Sequence, residues 1–134
     1  MKKYTEMFKL LTDEQRLRVL MLLDRKTLSV CQLMGIIGAS QPLISKNLSL
    51  LYRGGFLDER RDGKLRFYSI KSDLAEDKAA VLVLLRTLLK SDTRFKEDLQ
   101  TLAECTAFQK KAGRCDMKTL KEFMELQKMK KKKS

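Results

Sequence analysis

The sequence predicts a mainly α-helical fold carrying one small two-stranded β-hairpin. Val30, Leu33, Met34 and Ile37 recur at helical spacing and stop at Gly38. Beyond Gly38-Ala39-Ser40, the residues Ile44, Leu48 and Leu51 form a second apolar stripe, and Gln41, Ser45, Lys46 and Ser49 fall away from it. Two β-like runs, Phe56 to Arg61 and Lys64 to Ile70, then flank Asp62-Gly63, the strongest short hairpin signal. A short helix, a three-residue turn, a second helix and a basic hairpin, in that order, make a winged helix-turn-helix.

Each element has its own warrant. Residues 4–11 form a short amphipathic helix with Met7, Phe8, Leu10 and Leu11 apolar. Thr12, with Gln15 three residues on, reads as a capping box for a helix over 13–25. That helix turns Leu17, Leu20, Met21 and Leu23 inward and Arg16 and Arg18 outward or toward phosphate. The next helix spans 29–37. Gly38 supplies a tight turn, Ser40 caps the following helix, Pro42 suits its first turn, and Gly54-Gly55 ends it. Counted outward from Asp62-Gly63, Arg61 faces Lys64 and Glu59 faces Arg66. A long helix starts at Ser72 or Asp73 and runs to Lys90; its apolar face exceeds what a small core needs, which predicts packing against a second subunit. Helices over 93–104 and 117–129 complete the chain. Residues 1–90 thus form a DNA-binding and dimerisation domain, and 91–134 a helical C-terminal extension with a Lys-rich tail.

The chain has 134 residues, 43 % hydrophobic, with one Pro and six Gly, which suits a single well-packed domain rather than a disordered one. No apolar run reaches membrane-spanning length and the N-terminus lacks a signal-peptide h-region, so the expectation is a soluble cytoplasmic protein with no membrane partner. The net charge is +12, unevenly spread: residues 1–71 carry 14 Lys/Arg against 7 Asp/Glu, residues 72–127 are neutral, and five lysines lie at 128 and 130–133. A polyanion partner accounts for this better than general solubility. The tail itself reads either as a frayed, solvated end or as a source of sequence-independent attraction to DNA. There is no histidine, which removes His-based acid–base chemistry and His-ligated metal sites, and no Gly-rich phosphate loop; an enzyme is not expected.

The second helix of a helix-turn-helix lies in the major groove and offers its N-terminal polar residues to base edges. The candidate DNA contacts are therefore Ser40, Gln41, Pro42, Ser45, Lys46 and Asn47 on that helix, Arg53 toward phosphate, and Arg60, Arg61, Lys64 and Arg66 on the hairpin. If about six of these neutralise phosphates in each subunit, log affinity falls against log salt with a slope near −5. The competing reading is a winged-helix module used only for protein contacts.

The runs Phe8-Lys-Leu-Leu-Thr-Asp-Glu-Gln-Arg-Leu-Arg-Val-Leu, Leu28-Ser-Val-Cys-Gln-Leu, Ser40-Gln-Pro-Leu-Ile-Ser-Lys-Asn-Leu and Arg60-Arg-Asp-Gly-Lys-Leu-Arg-Phe-Tyr-Ser-Ile resemble the arsenic-repressor (ArsR/SmtB) family of bacterial winged-helix regulators over roughly residues 4–90. The resemblance implies a homodimer built on the first and last helices of that region, binding of double-stranded operator DNA as a repressor, and release by an inducer. Asn47 stands where that family often has histidine. Ser29-Val30-Cys31 stands where many relatives have Cys-Val-Cys and bind arsenite or soft divalent metals, so one thiolate of that pattern is missing here.

Three cysteines, Cys31, Cys105 and Cys115, are too few and too odd in number for a disulfide framework. Cys105 and Cys115 bracket a short segment between two predicted helices, with Lys110, Lys111 and Arg114 nearby to favour thiolate. Joined by Cys31, they would make a three-sulfur site for As(III) or another thiophilic ion, the candidate inducer. As a pair they would make a reversible redox or polysulfide switch. Unrelated thiols are the third reading, and Cys31 alone reads as a small buried helix residue. No cofactor is expected to be required.

Overall fold

Helix α2 (Glu14–Arg25) runs through the centre of the structure, a computed structural model that describes the backbone of residues 1–112 and 117–133 and the side-chain surroundings of 1–110 and 120–130. Its stretch Val19 to Leu23 is entirely buried. Helix α1 (Lys2–Leu10) precedes it. The expected cap moves by one residue. Asp13 is the N-cap, its carboxylate accepting the Arg16 N–H at 2.8 Å. Thr12 stays tied to the end of α1 by donating its hydroxyl to the Lys9 carbonyl at 2.8 Å. A carboxylate also suits the positive end of the helix better than a hydroxyl.

Helix α3 (Val30–Ile37) starts on a capping box. The Ser29 hydroxyl accepts the Gln32 N–H, and the Gln32 side chain accepts the Ser29 N–H. Gly38 then adopts φ 76°, which an L side chain rarely does, and the turn leads into α4 (Gln41–Arg53). Ser40 occupies the N-cap of α4 without a side-chain hydrogen bond, and Pro42 sits in the first turn. Ile44, Leu48 and Leu51 are fully buried, as their spacing predicts.

The hairpin consists of β2 (Leu57–Asp62) and β3 (Leu65–Ile70), antiparallel, and a two-residue strand β1 (Leu28–Ser29) adds to the outer edge of β3. The register differs from the expected one. Asp62 pairs with Leu65, Arg61 with Arg66 and Glu59 with Tyr68, so the two turn residues are Gly63-Lys64. Gly63 takes φ 62° at the first central position, where this class of turn wants glycine. This register places buried Leu57 beside Ile70 and buried Tyr68 beside Leu28, so packing fixes it.

Helix α5 (Glu76–Leu89) starts later than predicted, because the Ser72 N–H is taken by the Asp58 carboxylate at 3.1 Å and holds that segment in a turn. Helix α6 (Thr93–Ala112) is longer than predicted and contains Cys105; α7 (Met117–Lys133) follows. Both dock on the winged-helix body. Arg18 does not face solvent or phosphate: it grips Asp98 of α6 through two hydrogen bonds of 2.8 and 2.9 Å, which raise the guanidinium pKa. Gln32 donates to Gln109 at 2.7 Å. Gly35 is the close-approach point for α7, since a Cβ there would lie 2.6 Å from a methyl of Leu120. Residues of α6 and α7 (Leu102, Cys105, Leu120 and Phe123) share one core with those of α2, α3 and α4.

Candidate nucleic-acid interface

Helix α4 divides cleanly. One side delivers Ile44, Leu48 and Leu51 to the core; Ser40, Gln41, Pro42 and Lys46 are exposed on or before its first turns, with Ser45 half-buried beside them. Arg53 is exposed at the far end and donates to the Ser49 hydroxyl at 3.2 Å. The N-terminal end of α4 therefore offers solvent an amide, a hydroxyl and an ammonium, groups that match base edges and phosphate.

Asn47 does not belong with them. It is 3 % exposed, donates to the Gln15 side-chain oxygen at 2.9 Å and accepts from Arg16 at 3.4 Å. Arg16 in turn donates to the Leu10 carbonyl at 2.6 Å. The side chain expected to face DNA is instead a buried clamp that sets α4 against the α1–α2 corner. Replacing Asn47 by Ala leaves the half-buried Gln15 amide oxygen without this partner, removes one of the Arg16 hydrogen bonds and should cost about 1–3 kcal/mol, read as a lowered urea midpoint. The salt slope of DNA binding should stay at its wild-type value, because no phosphate contact is removed.

Arg60, Arg61, Lys64 and Arg66 are all exposed on the wing. Arg60 stacks on Phe67, 4.9 Å from the ring centroid. Arg61 and Arg66 are direct cross-strand partners, an unfavourable pairing of like charges that Glu59 moderates at 3.8 and 3.9 Å. Burial pushes the Tyr68 phenol up, and the charge of Glu59 adds to it. A phosphate laid across this pair would relieve the repulsion directly.

A second exposed surface is apolar. Tyr4 and Phe8 of α1 and Val83, Leu84 and Leu88 of α5 are among the most exposed large hydrophobics, Leu88 at 65 %. A Lys3–Asp77 ion pair at 3.4 Å ties the starts of these two helices together.

The cysteines fall differently from the expected pattern. Cys105 lies inside α6, buried, not between helices; Thr106 follows it in the same helix and donates its hydroxyl to the Leu102 carbonyl at 2.9 Å. Cys31 is half-buried in the first turn of α3 and packs against the same core. Cys115, Lys111 and Arg114 lie outside the residues whose surroundings are described. Among the described residues, no group of three His, Cys, Asp or Glu could hold a metal ion. Ser29, the missing thiolate position, is buried and occupied as the α3 cap.

Residues 13–59 match the family model described as "Bacterial regulatory protein, arsR family". The cadmium resistance transcriptional regulatory protein CadC of Listeria innocua is 33 % identical over 93 residues, spanning 69 % of this chain and 70 % of that one. The chain belongs to the arsR family. The arsenical resistance operon repressor of Escherichia coli is 41 % identical over 66 residues, 48 % of this chain and 56 % of its own length. Among solved structures, the homodimeric winged helix-turn-helix DNA-binding domain Mb0332 of Mycobacterium bovis superposes with a TM-score of 0.56 at 26 % identity, covering 69 % of this chain and 82 % of that one. The wing and the α3–α4 pair of this arsR-family chain are thus a winged helix-turn-helix, as the sequence predicts. Among the described residues, no helix is long and apolar enough to cross a membrane.

Proposed function

We propose that two copies of this chain form a repressor that reads double-stranded operator DNA and lets go when a thiophilic ion binds. The observation that carries the DNA reading is the exposed amide, hydroxyl and ammonium row on α4 beside a wing whose cross-strand arginines lack full compensation. The uncovered apolar strips of α1 and α5 support the homodimer, and the homodimeric relative from Mycobacterium bovis agrees with it. In such a dimer the two α4 helices enter successive major grooves, about 34–36 Å apart.

The release half of the proposal rests on Cys31, Cys105 and Cys115, and on the names of the cadmium and arsenical regulators above. Cys31 sits on α3, the first helix of the DNA-reading pair, and Cys105 on α6, which is bonded to α3 through Gln32 and Gln109. Three-sulfur capture of As(III) needs Cys115 as the third ligand, because the described residues supply two thiols. Drawing these thiols together would shift α6 against α3 and disturb the pose of α4.

Anisotropy of a fluorescent duplex from the gene's own upstream region tests both halves. Tight binding with a salt slope near −5 per subunit is expected if about six cations meet phosphate. Adding arsenite should release the wild-type protein, whereas the Cys31→Ser, Cys105→Ser, Cys115→Ser variant should bind within about threefold of wild type and no longer respond. A variant that still releases places the sensor elsewhere; a wild-type protein indifferent to duplex ends the DNA reading.

A further inference from the structure

Helix α7 packs along α3. Gly35 of α3 meets Leu120 and Phe123, and the cleft that continues along Ile36, Ile37 and Gly38 is walled on its other side by Met124, Gln127 and Lys128. Lys128 lines the same cleft as Gly38, the turn of the helix-turn-helix, which lies three residues before Gln41. From that point α7 continues to Lys133, a further five residues or about 7.5 Å of helix.

The orientation is held. Glu104 of α6 accepts from Gln127 at 2.6 Å and pairs with Lys130 at 3.4 Å, and the Gln127 hydrogen bond draws the Glu104 pKa below its ordinary value although burial opposes it. Through Lys130, α7 is therefore a docked helix and not the frayed segment that its composition suggests. Lys128 and Lys130 are exposed, and five of the last seven residues are lysine in a C-terminal half that is otherwise neutral.

We propose that the end of α7 is a second, sequence-independent DNA contact: a cationic helical arm that leaves the helix-turn-helix turn and follows phosphates flanking the segment read by α4. The inference rests on the DNA-binding reading and adds an element outside the winged helix. Helix-terminal lysines also complement the helix dipole, but one or two would do that. Five, beginning beside the turn that introduces the reading helix, lengthen the electrostatic footprint.

The test compares full-length wild type with a variant carrying Gln at Lys128, Lys130, Lys131, Lys132 and Lys133, and with a control carrying Gln at the exposed Lys90 and Lys96. Affinity is measured for the upstream duplex and for an unrelated duplex between about 50 and 200 mM salt. The arm variant should lose at least about 2 from the magnitude of the salt slope per dimer, weakening both duplexes alike so that their ratio changes less than about twofold. The control should shift the slope by less than about 0.5. Circular dichroism, with a urea midpoint lowered by no more than the loss of the exposed Lys130–Glu104 ion pair accounts for, confirms folding. A slope loss below about 1, or one matched charge for charge by the control, overturns the arm and leaves the DNA-binding reading standing. Wild-type protein that ignores both duplexes ends both. An arm built for an acidic protein partner would leave all three slopes equal, and so counts against the proposal.

Discussion

If the proposed homodimer forms through α5, exchanging Leu84 and Leu88 for glutamate should yield a folded monomer that grips the upstream duplex no better than random duplex. Helix α5 buries Val81 and Leu82 in the core and leaves Val83, Leu84 and Leu88 at half exposure or more. Full burial of one such side chain contributes about 1.5–3 kcal/mol, so a two-fold interface using these residues with Tyr4 and Phe8 has ample apolar surface. Two glutamates per chain would remove that gain and bring four like charges into the proposed interface. The dimer should weaken by at least about 100-fold, nearly 3 kcal/mol. Each monomer then holds one half-site, and the advantage of linking two is lost. Sedimentation velocity reads the association state, and the urea midpoint should move little, because the altered side chains are at least half exposed. A dimer that persists would show that α5 is not the interface.

The second large effect is expected at Asp98. Its side chain is 4 % exposed, that of Arg18 is 18 % exposed, and the two share a bidentate pair. Leu17, Met21, Leu89 and Phe95 line the surrounding cleft together with Glu14 and Asp92, so Asp98→Ala leaves a half-buried guanidinium without its bidentate partner and with only the weaker charges of Glu14 and Glu97 to offset it. Removing one partner of a buried pair costs about 3–5 kcal/mol; the residual exposure of Arg18 lets water recover some of it, which sets the expectation at about 2–4 kcal/mol. The double change Arg18→Met with Asp98→Leu should restore most of the loss, because it removes both charges and fills the space. Urea denaturation of the two variants decides the matter. Equal loss in both would mean that the pair matters by shape and not by charge.

The parts legible in the sequence were those governed by short-range pattern. The stripe of Ile44, Leu48 and Leu51, the glycine at the tight turn and the basic hairpin all follow from spacing within a dozen residues. Asn47 was readable by the same rule: positions 44, 47, 48 and 51 share one helix face, so a polar residue at 47 points inward. Its chemistry suggested DNA, whereas its position put it in the core. The hairpin register turned on Leu57 and Tyr68 finding buried partners, including a β1 strand too short to show alternation. The Arg18–Asp98 pair spans 80 residues, and nothing local marks it. Phe95, Leu99 and Leu102 predict a helix only to residue 104, yet no Gly or Pro interrupts the chain before Gly113, so the helix runs on through Cys105.

The most direct measurement of the central claim is methylation protection of guanine N7, a major-groove atom, on the bound upstream duplex. Two protected windows about one helical turn apart are expected for a dimer inserting both α4 helices. The variant Gln41→Ala with Lys46→Ala should lose that protection while keeping much of its salt-dependent affinity. Tight binding without major-groove protection, or protection that this variant leaves intact, would contradict the account.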